Sequence, residues 1–315
     1  MTDPITIDCD YLGPRIAASY LLVEGREAAF IETNTTPAVP RLLEALRKTG
    51  LERADVRYVI ITHVHLDHAG GASALMQACP NATLLAHPRA APHVIDPSRL
   101  VASARKVYGD ETFDRLYGRI DPIPAERVRS MGDNETLTWG TRTLSFLHTR
   151  GHANHHMCIH DASSGAVFTG DSFGLCYPAL QTHGLFMLPS TSPTDFDPEE
   201  AKKSVDRIAT LAQSVYPTHF GQVTEVKAAA RQLHELLDFS ADLLGRAVAM
   251  PGTDEEITRF CRRELQDRYT QAMRRAGLEA QETHWQLLEL DLALNAQGIA
   301  YAAAKRREKA RGGSP

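Results

Sequence analysis

Val56-Arg-Tyr-Val-Ile-Ile61, followed at once by Thr62-His63-Val64-His65-Leu66-Asp67-His68, is the stretch on which the reading of this chain turns. Its first half is a short, almost continuous apolar run, which suits a strand buried on both faces. Its second half puts three histidines and one aspartate into six residues. His63 and His65 are two apart, so on extended chain they point the same way. Asp67 and His68 then fall in the turn leading into a helix. Four potential ligands thus gather at the carboxyl end of a strand, where open α/β sheets place their sites. Imidazole with carboxylate suits zinc, and also iron or manganese. No cheap structural account fits such a cluster, because buried groups of this kind need partners or a metal.

Three more polar residues occupy similar settings further along. His152 lies in Thr149-Arg-Gly-His152, after a strand ending near Leu147. Asp171 lies in Thr169-Gly-Asp171, after a strand at 166–169, and His219 in Tyr216-Pro-Thr-His219-Phe-Gly221, after a last short strand. Taken singly, each has a plainer explanation. A histidine at a strand end usually caps it or is partly exposed, and an aspartate after glycine is ordinary turn chemistry.

Around these positions the pattern is α/β. Short β-rich runs at 5–11, 17–23 and 28–32 lead to a helix at 40–48, the strand at 56–61, a helix at 69–79 and a strand at 83–86. Residues 92–120 read as mostly helical, 136–147 as a hairpin, and 157–160 and 166–169 as strands joined by the turn at 161–165. From Pro198 onward helices are expected at 198–212, 224–248, 254–275 and 281–304, with one strand at 215–216. The expected division is a catalytic domain over 1–223, a helical C-terminal extension over 224–304, and a flexible charged tail over 305–315.

Taken in order, Thr62-His63-x-His65-x-Asp67-His68, Gly151-His152, Gly170-Asp171 and Thr218-His219 resemble the motifs of the metallo-β-lactamase superfamily over roughly residues 15 to 223. The resemblance implies an α/β fold of αββα type: two mixed β-sheets packed face to face with helices outside, here followed by extra C-terminal helices. It implies that His63, His65 and His152 hold a first metal, that Asp67, His68 and His219 hold a second, and that Asp171 bridges them. Two divalent ions are expected, zinc first, with iron or manganese as the alternatives. Two such ions sharing a water lower its pKa to near 7. The implied activity is a metallo-hydrolase whose dinuclear-metal-bound hydroxide attacks an ester, thioester or lactone carbonyl. Asp67 would both hold metal and orient the nucleophile. The alternatives are phosphodiester hydrolysis, an iron-dependent redox protein (persulfide dioxygenase-like, or oxygen-binding and diiron) and a non-enzymatic metal-binding module. The related flavodiiron oxygen reductases usually carry Glu where this chain has His65, and no flavodoxin-like domain is expected here. β-Lactamase activity is not implied by the superfamily's name, since one fold hosts many reactions.

Other residues invite assignment. His155 and His156 read either as an exposed pair opening a strand, the preferred reading, or as partners of the ligands or contacts to the substrate. The loop at 172–196 is rich in apolar residues and reads equally as a pocket wall or as a strap over the core. Within it His183 and Tyr177 are the candidates for touching substrate. Tyr108 and Tyr117 read as helix packing, and His87, His93, His148, His160, His234 and His284 as structural.

Composition narrows the partners. The chain has 315 residues, 43% hydrophobic and 23% charged, an ordinary globular balance with apolar mass for a sizeable core. A formal net charge of −5 offers no basic excess for a phosphate backbone, so a small-molecule substrate is expected and nucleic acid is not. The five cysteines are scattered with no CxxC spacing, which argues against a disulfide framework or thiolate zinc site and fits a reducing compartment. MTDPITIDCD at the N-terminus lacks the pattern of a signal peptide, and no apolar run approaches the ~20 residues that span a bilayer. A cytoplasmic location without membrane association is therefore expected. The leucine-rich C-terminal helices must bury their apolar positions, either over the catalytic domain or in a homodimer contact.

Overall fold

The computed structural model describes residues 3–191 and 194–311. Two compact units are resolved within it, and the chain passes between them several times. Among the described residues the first comprises 3–148, 155–170 and 211–224, and the second 149–154, 171–191, 194–210 and 225–311. The expected boundary at 223 lies beside one of these passages, between Thr224 and Glu225.

The first unit holds eleven strands among its described residues. They are β1 (Ile5–Asp8), β2 (Ala18–Glu24), β3 (Glu27–Ile31), β4 (Val56–Ile60), β5 (Thr83–Ala86), β6 (Val128–Ser130), β7 (Thr136–Trp139), β8 (Arg142–His148), β9 (Met157–Asp161), β10 (Ala166–Gly170) and β11 (Ser214–Pro217). One sheet runs β1-β2-β3-β4-β5-β6 and the other β11-β10-β9-β8-β7. In the first, β3, β4, β5 and β6 are parallel while β1 and β2 are antiparallel additions. In the second only the β10–β11 pair is parallel. Both sheets are therefore mixed, as expected for the αββα sandwich. The three-residue β6 escaped the sequence reading, because Val128-Arg-Ser130 is too short and too polar to show a period.

The same unit carries helices α1 (Val39–Lys48), α2 (Leu66–Ala69), α3 (Ala72–Ala78), α4 (Ala91–Ile95), α5 (Ser98–Tyr108) and α6 (Asp110–Tyr117). Strand β4 shows why its sequence is apolar nearly throughout. Val59 and Ile61 point to one side, into a cluster with Leu42, Leu46, Leu75 and Met76 from α1 and α3. Ile60 points to the other, into the layer between the sheets. A parallel central strand has both faces covered and needs apolar side chains on both. The layer between the sheets draws alternate residues from the facing sheet, among them Trp139, Leu144, Phe146, Met157, Ile159 and Phe168. Tyr20, Phe168 and Tyr216 join the two sheets there, with ring centroids 5.1–5.3 Å apart.

The helix expected over 69–79 is α3, and Asp67 and His68, expected in a turn before it, lie in the short α2. The chain bends at Gly70-Gly71, between α2 and α3. A Cβ on Gly71 would stand 2.7 Å from the Thr33 carbonyl oxygen and 2.8 Å from that of Thr35. The glycines let the segment after β3 lie directly against the bend, and this approach builds the site below.

The second unit is helical: α7 (Pro198–Leu211, its last residue assigned to the first unit), α8 (Val226–Ala249), α9 (Asp254–Arg275) and α10 (Glu282–Arg311). Residues 305–311 of the expected tail continue α10, while 312–315 lie outside the described residues. Ser192 and Pro193 of the expected 172–196 loop also lie outside them. The rest of that loop is folded on itself. Leu175 and Leu188 exchange both backbone hydrogen bonds, at 2.7 and 3.1 Å. Gln232 of α8 holds it through Met187 N (2.9 Å) and Leu185 O (2.8 Å). Phe173, Leu175, Tyr177, Leu180, Phe186, Met187 and Leu188 are all buried. Within this unit the apolar side chains of the loop are packed, as a strap over the core requires. Among the described residues no helix is long and apolar enough to cross a membrane.

Candidate metal centre

In the first unit, five of the seven expected ligands are brought to the carboxyl ends of strands. His63, His65, Asp67 and His68 follow β4, and His219 follows β11. Potential ligand atoms of Asp67, His68 and His219 all lie within 4.8 Å of one another. Asp67 Oδ2 stands 3.4 Å from His219 Nε2 and 3.6 Å from His68 Nε2. His63 Nε2 faces His65 Nδ1 at 2.9 Å.

Each histidine has a second nitrogen that sets its tautomer. His68 Nδ1 is 3.1 Å from Glu32 Oε1, so that nitrogen carries the proton and Nε2 keeps the lone pair. His219 Nδ1 donates to the Ile16 carbonyl at 2.9 Å, again leaving Nε2 as the ligand atom. Thr62 Oγ1 gives its hydrogen to Glu32 Oε1 and accepts one from His63 Nδ1 at 3.0 Å. Metal-ligating histidines usually donate their other N–H in this way, and the bond orients the ring and raises its basicity.

Glu32 is the residue that sequence reasoning missed. It directly follows β3, is 1% exposed, and is bonded to Thr62, His68 and Thr218. Its backbone is left-handed at φ +65°, a strained conformation for a glutamate that recurs at functional sites. Together with His63 and His68 it forms a second group whose potential ligand atoms lie within 4.8 Å. The adjoining residues clamp the ligand backbone: Thr33 N and Oγ1 both bond the His68 carbonyl at 2.9 Å, and Asn34 Nδ2 bonds the Asp67 carbonyl at 2.8 Å. An acidic residue at the end of a neighbouring parallel strand was the available signal.

His156 is fully buried, with its ring 4.8 Å from that of His63. His155 is half-buried, and its ring stacks on His63 at 6.0 Å. The exposed-pair reading is thereby corrected. Gly170 allows the approach, since a Cβ there would meet Thr62 Oγ1 at 2.5 Å and His156 Nε2 at 2.6 Å. Tyr117 is buried, with its hydroxyl 3.2 Å from that of Tyr11. Burial, then the neighbouring Tyr11 and Asp67, pushes its phenol well above the usual range. Tyr108 stacks edge-on against Tyr117 at 5.5 Å.

In the second unit the two remaining ligands form a pair. His152 Nε2 lies 3.4 Å from Asp171 Oδ2. The Ser190 carbonyl accepts from His152 Nδ1 at 3.2 Å, and the Ser190 hydroxyl donates to Asp171 Oδ2 at 3.1 Å. His152 Nε2 is thus the lone-pair nitrogen here too. Of the expected substrate contacts, Tyr177 is buried and donates to Asp291 Oδ1 of α10 at 3.3 Å. His183 is exposed, and its Nδ1 is 2.9 Å from Thr182 Oγ1.

The donor chemistry fits divalent metal: imidazole lone pairs and carboxylate oxygens, largely buried, with the competing nitrogens already bonded to protein. Residues 12–219 match the family model of the metallo-beta-lactamase superfamily. The metallo-beta-lactamase fold-containing protein ST1585 of Sulfurisphaera tokodaii is 25% identical over 228 residues, 71% of this chain and 80% of that protein. Its crystal structure matches with a TM-score of 0.63 at 20% identity, covering 95% of this chain and 98% of that one. An atrochrysone carboxyl ACP thioesterase of Pseudocercospora fijiensis is 21% identical over 304 residues, 91% of this chain and 80% of the relative. A hydroxyacylglutathione hydrolase of Aeromonas hydrophila is 26% identical over 115 residues, 36% of this chain and 32% of its own length.

Proposed function

Since the chain belongs to the metallo-beta-lactamase superfamily, we propose that it is a metal-dependent hydrolase of ester, thioester or lactone bonds in a small-molecule substrate. The ligand set proposed is His63, His65 and His152 for one ion, Asp67, His68 and His219 for the other, and Asp171 shared between them. Two divalent ions, if held there, would supply Lewis acidity and lower the pKa of a bound water to near neutrality. The observation that carries the reading is the tautomer pattern: His63, His68, His152 and His219 each commit Nδ1 to a protein acceptor and present Nε2. Asp67, partly exposed among the ligands, is the residue assigned to hold and orient the attacking water's proton. Glu32 keeps the His68 ring in place and its Nδ1 protonated. No side-chain nucleophile is required. The preference for thioester-like carbonyls rests on the named activities of the thioesterase and hydroxyacylglutathione hydrolase relatives. Zinc is the metal proposed, and the cytoplasm the location.

Elemental analysis and the visible spectrum of protein expressed without added metal test this directly. About two zinc ions per chain, no colour, and ester or thioester hydrolysis abolished by chelation support it. His63→Ala is expected to lose metal and activity together. Full metal occupancy in that variant sinks the ligand assignment. Iron with a visible absorption band replaces hydrolysis with redox chemistry as the leading reading.

A further inference from the structure

We infer that Asn295 of α10 is a positioning residue that holds His152 and Asp171 in their ligating geometry by clamping the segment 189–191. The inference rests on the ligand assignment proposed above. His152 and Asp171 sit in loop segments, and the residue joining them is Ser190, bonded to one through its carbonyl and to the other through its hydroxyl. Ser190 in turn lies in a stretch without helix or strand. Both its neighbours are gripped by one side chain. Asn295 Oδ1 accepts from Thr191 N at 2.7 Å, and Thr191 Oγ1 shares its hydrogen between Asn295 Oδ1 (3.1 Å) and the Asn295 carbonyl (3.0 Å). Asn295 Nδ2 donates to the Pro189 carbonyl at 3.0 Å and to the Tyr269 hydroxyl of α9 at 2.9 Å.

The residue type is specific to this task. Asn295 is 2% exposed and lies in the buried face of α10 with Leu288, Leu292, Ala296 and Ile299. An amide in an apolar seam costs stability unless its groups are bonded, and each of its polar atoms here has a partner in segment 189–191 or in Tyr269. Only an amide offers an acceptor to Thr191 N and donors to Pro189 O side by side. Without the clamp the Ser190 carbonyl can leave His152 Nδ1, and the imidazole can then place its proton on Nε2, where metal must bind. Helix α10 thereby acts on His152 and Asp171 through this buried side chain.

The test compares zinc affinity by chelator competition in the full-length chain, alongside the cobalt(II) absorption spectrum and the urea stability of the metal-free protein. Asn295→Leu is expected to weaken zinc binding by about 10-fold, the low end of the range for groups bonded directly to the ligands, since it acts through Ser190, and to alter the cobalt spectrum. Asn295→Asp is expected to do likewise, because it sets a carboxylate oxygen against the Pro189 carbonyl. Arg307→Leu serves as the control on the same helix. Arg307 bonds the Val248 and Met250 carbonyls at the end of α8, so its loss should lower stability and leave zinc affinity within about twofold. If Asn295→Leu does not fold, Thr191→Val is measured instead, with a smaller loss in the same direction expected. Zinc affinity in the Asn295 variants equal to wild type, or reduced no more than in Arg307→Leu at matched stability, overturns the inference. A wild-type chain that binds no zinc overturns the ligand assignment first, before any variant is compared.

Discussion

Replacing Glu32 with glutamine tests whether the carboxylate behind the ligands does what its bonds suggest. In the folded chain Oε1 takes hydrogen bonds from Thr62 Oγ1, His68 Nδ1 at 3.1 Å and Thr218 Oγ1 at 3.2 Å, while Oε2 faces Thr62 N at 3.4 Å. Glutamine keeps one acceptor oxygen. Its better orientation leaves that oxygen on the three shorter contacts and turns the amide NH2 toward Thr62 N, donor against donor. Bonds to a charged group are worth about 1.5–3 kcal/mol and neutral ones about 0.5–1.5, so each of the three loses about 1 kcal/mol. They share one acceptor and will not add fully, which makes about 3 kcal/mol an upper limit for metal-free stability. The share passing through His68 is about 1 kcal/mol and reads out as a zinc affinity about 5-fold weaker. Urea unfolding of the metal-free chain and chelator competition measure the two separately. Stability within about 0.5 kcal/mol of wild type together with zinc affinity within twofold would refute the reasoning.

Three further outcomes are expected. Gly71→Ala puts a methyl 2.7 Å from the Thr33 carbonyl oxygen. It should cost about 2–3 kcal/mol in urea unfolding, and an unchanged midpoint would mean that the bend relaxes freely. Burial, then the neighbouring His148, pushes the buried His87 down to about 4 from an ordinary 6.5. Above pH 6.5 both folded and unfolded chains hold it neutral; below that the unfolded chain takes the proton first, so stability falls toward pH 4 by up to about 3 kcal/mol. His87→Asn should flatten that part of the stability profile, and parallel profiles would refute it. Arg142 and Asp161 form a fully buried ion pair. Asp161→Asn leaves the guanidinium without its full countercharge and should cost about 3–5 kcal/mol, with a loss under 1 kcal/mol counting against the pair's importance.

Much of the site is legible in the sequence because its ligands are local to strand ends. A buried parallel strand must be apolar on both faces, so Val56–Ile61 announces itself, and whatever polar residues follow it stand at the carboxyl edge of a sheet. Spacing does the rest for His63, His65, Asp67 and His68, and the motif order adds His152, Asp171 and His219. Glu32 is not legible. Its role depends on β3 lying beside β4 in parallel register, and on the Gly70-Gly71 bend admitting the backbone that follows it. His156 is hidden for the same reason: its burial comes from the closeness of Gly170 and Thr62, residues distant from it in sequence.

Sequence alone determined most of the strand-and-helix order, β6 and α2 excepted, together with the ligand candidates and the family resemblance, since hydrophobic period and short motifs are properties of neighbouring residues. Tertiary structure decided which nitrogen of each histidine is available, which carboxylate stands behind them, and what the apolar loop after Asp171 packs against. Apart from His63, whose Nδ1 bonds the adjacent Thr62, those depend on partners tens to hundreds of residues away. Asn295 is the plainest case. In the sequence it is one polar residue in a leucine-rich helix, and only its contacts with Pro189, Thr191 and Tyr269 show why an amide is there.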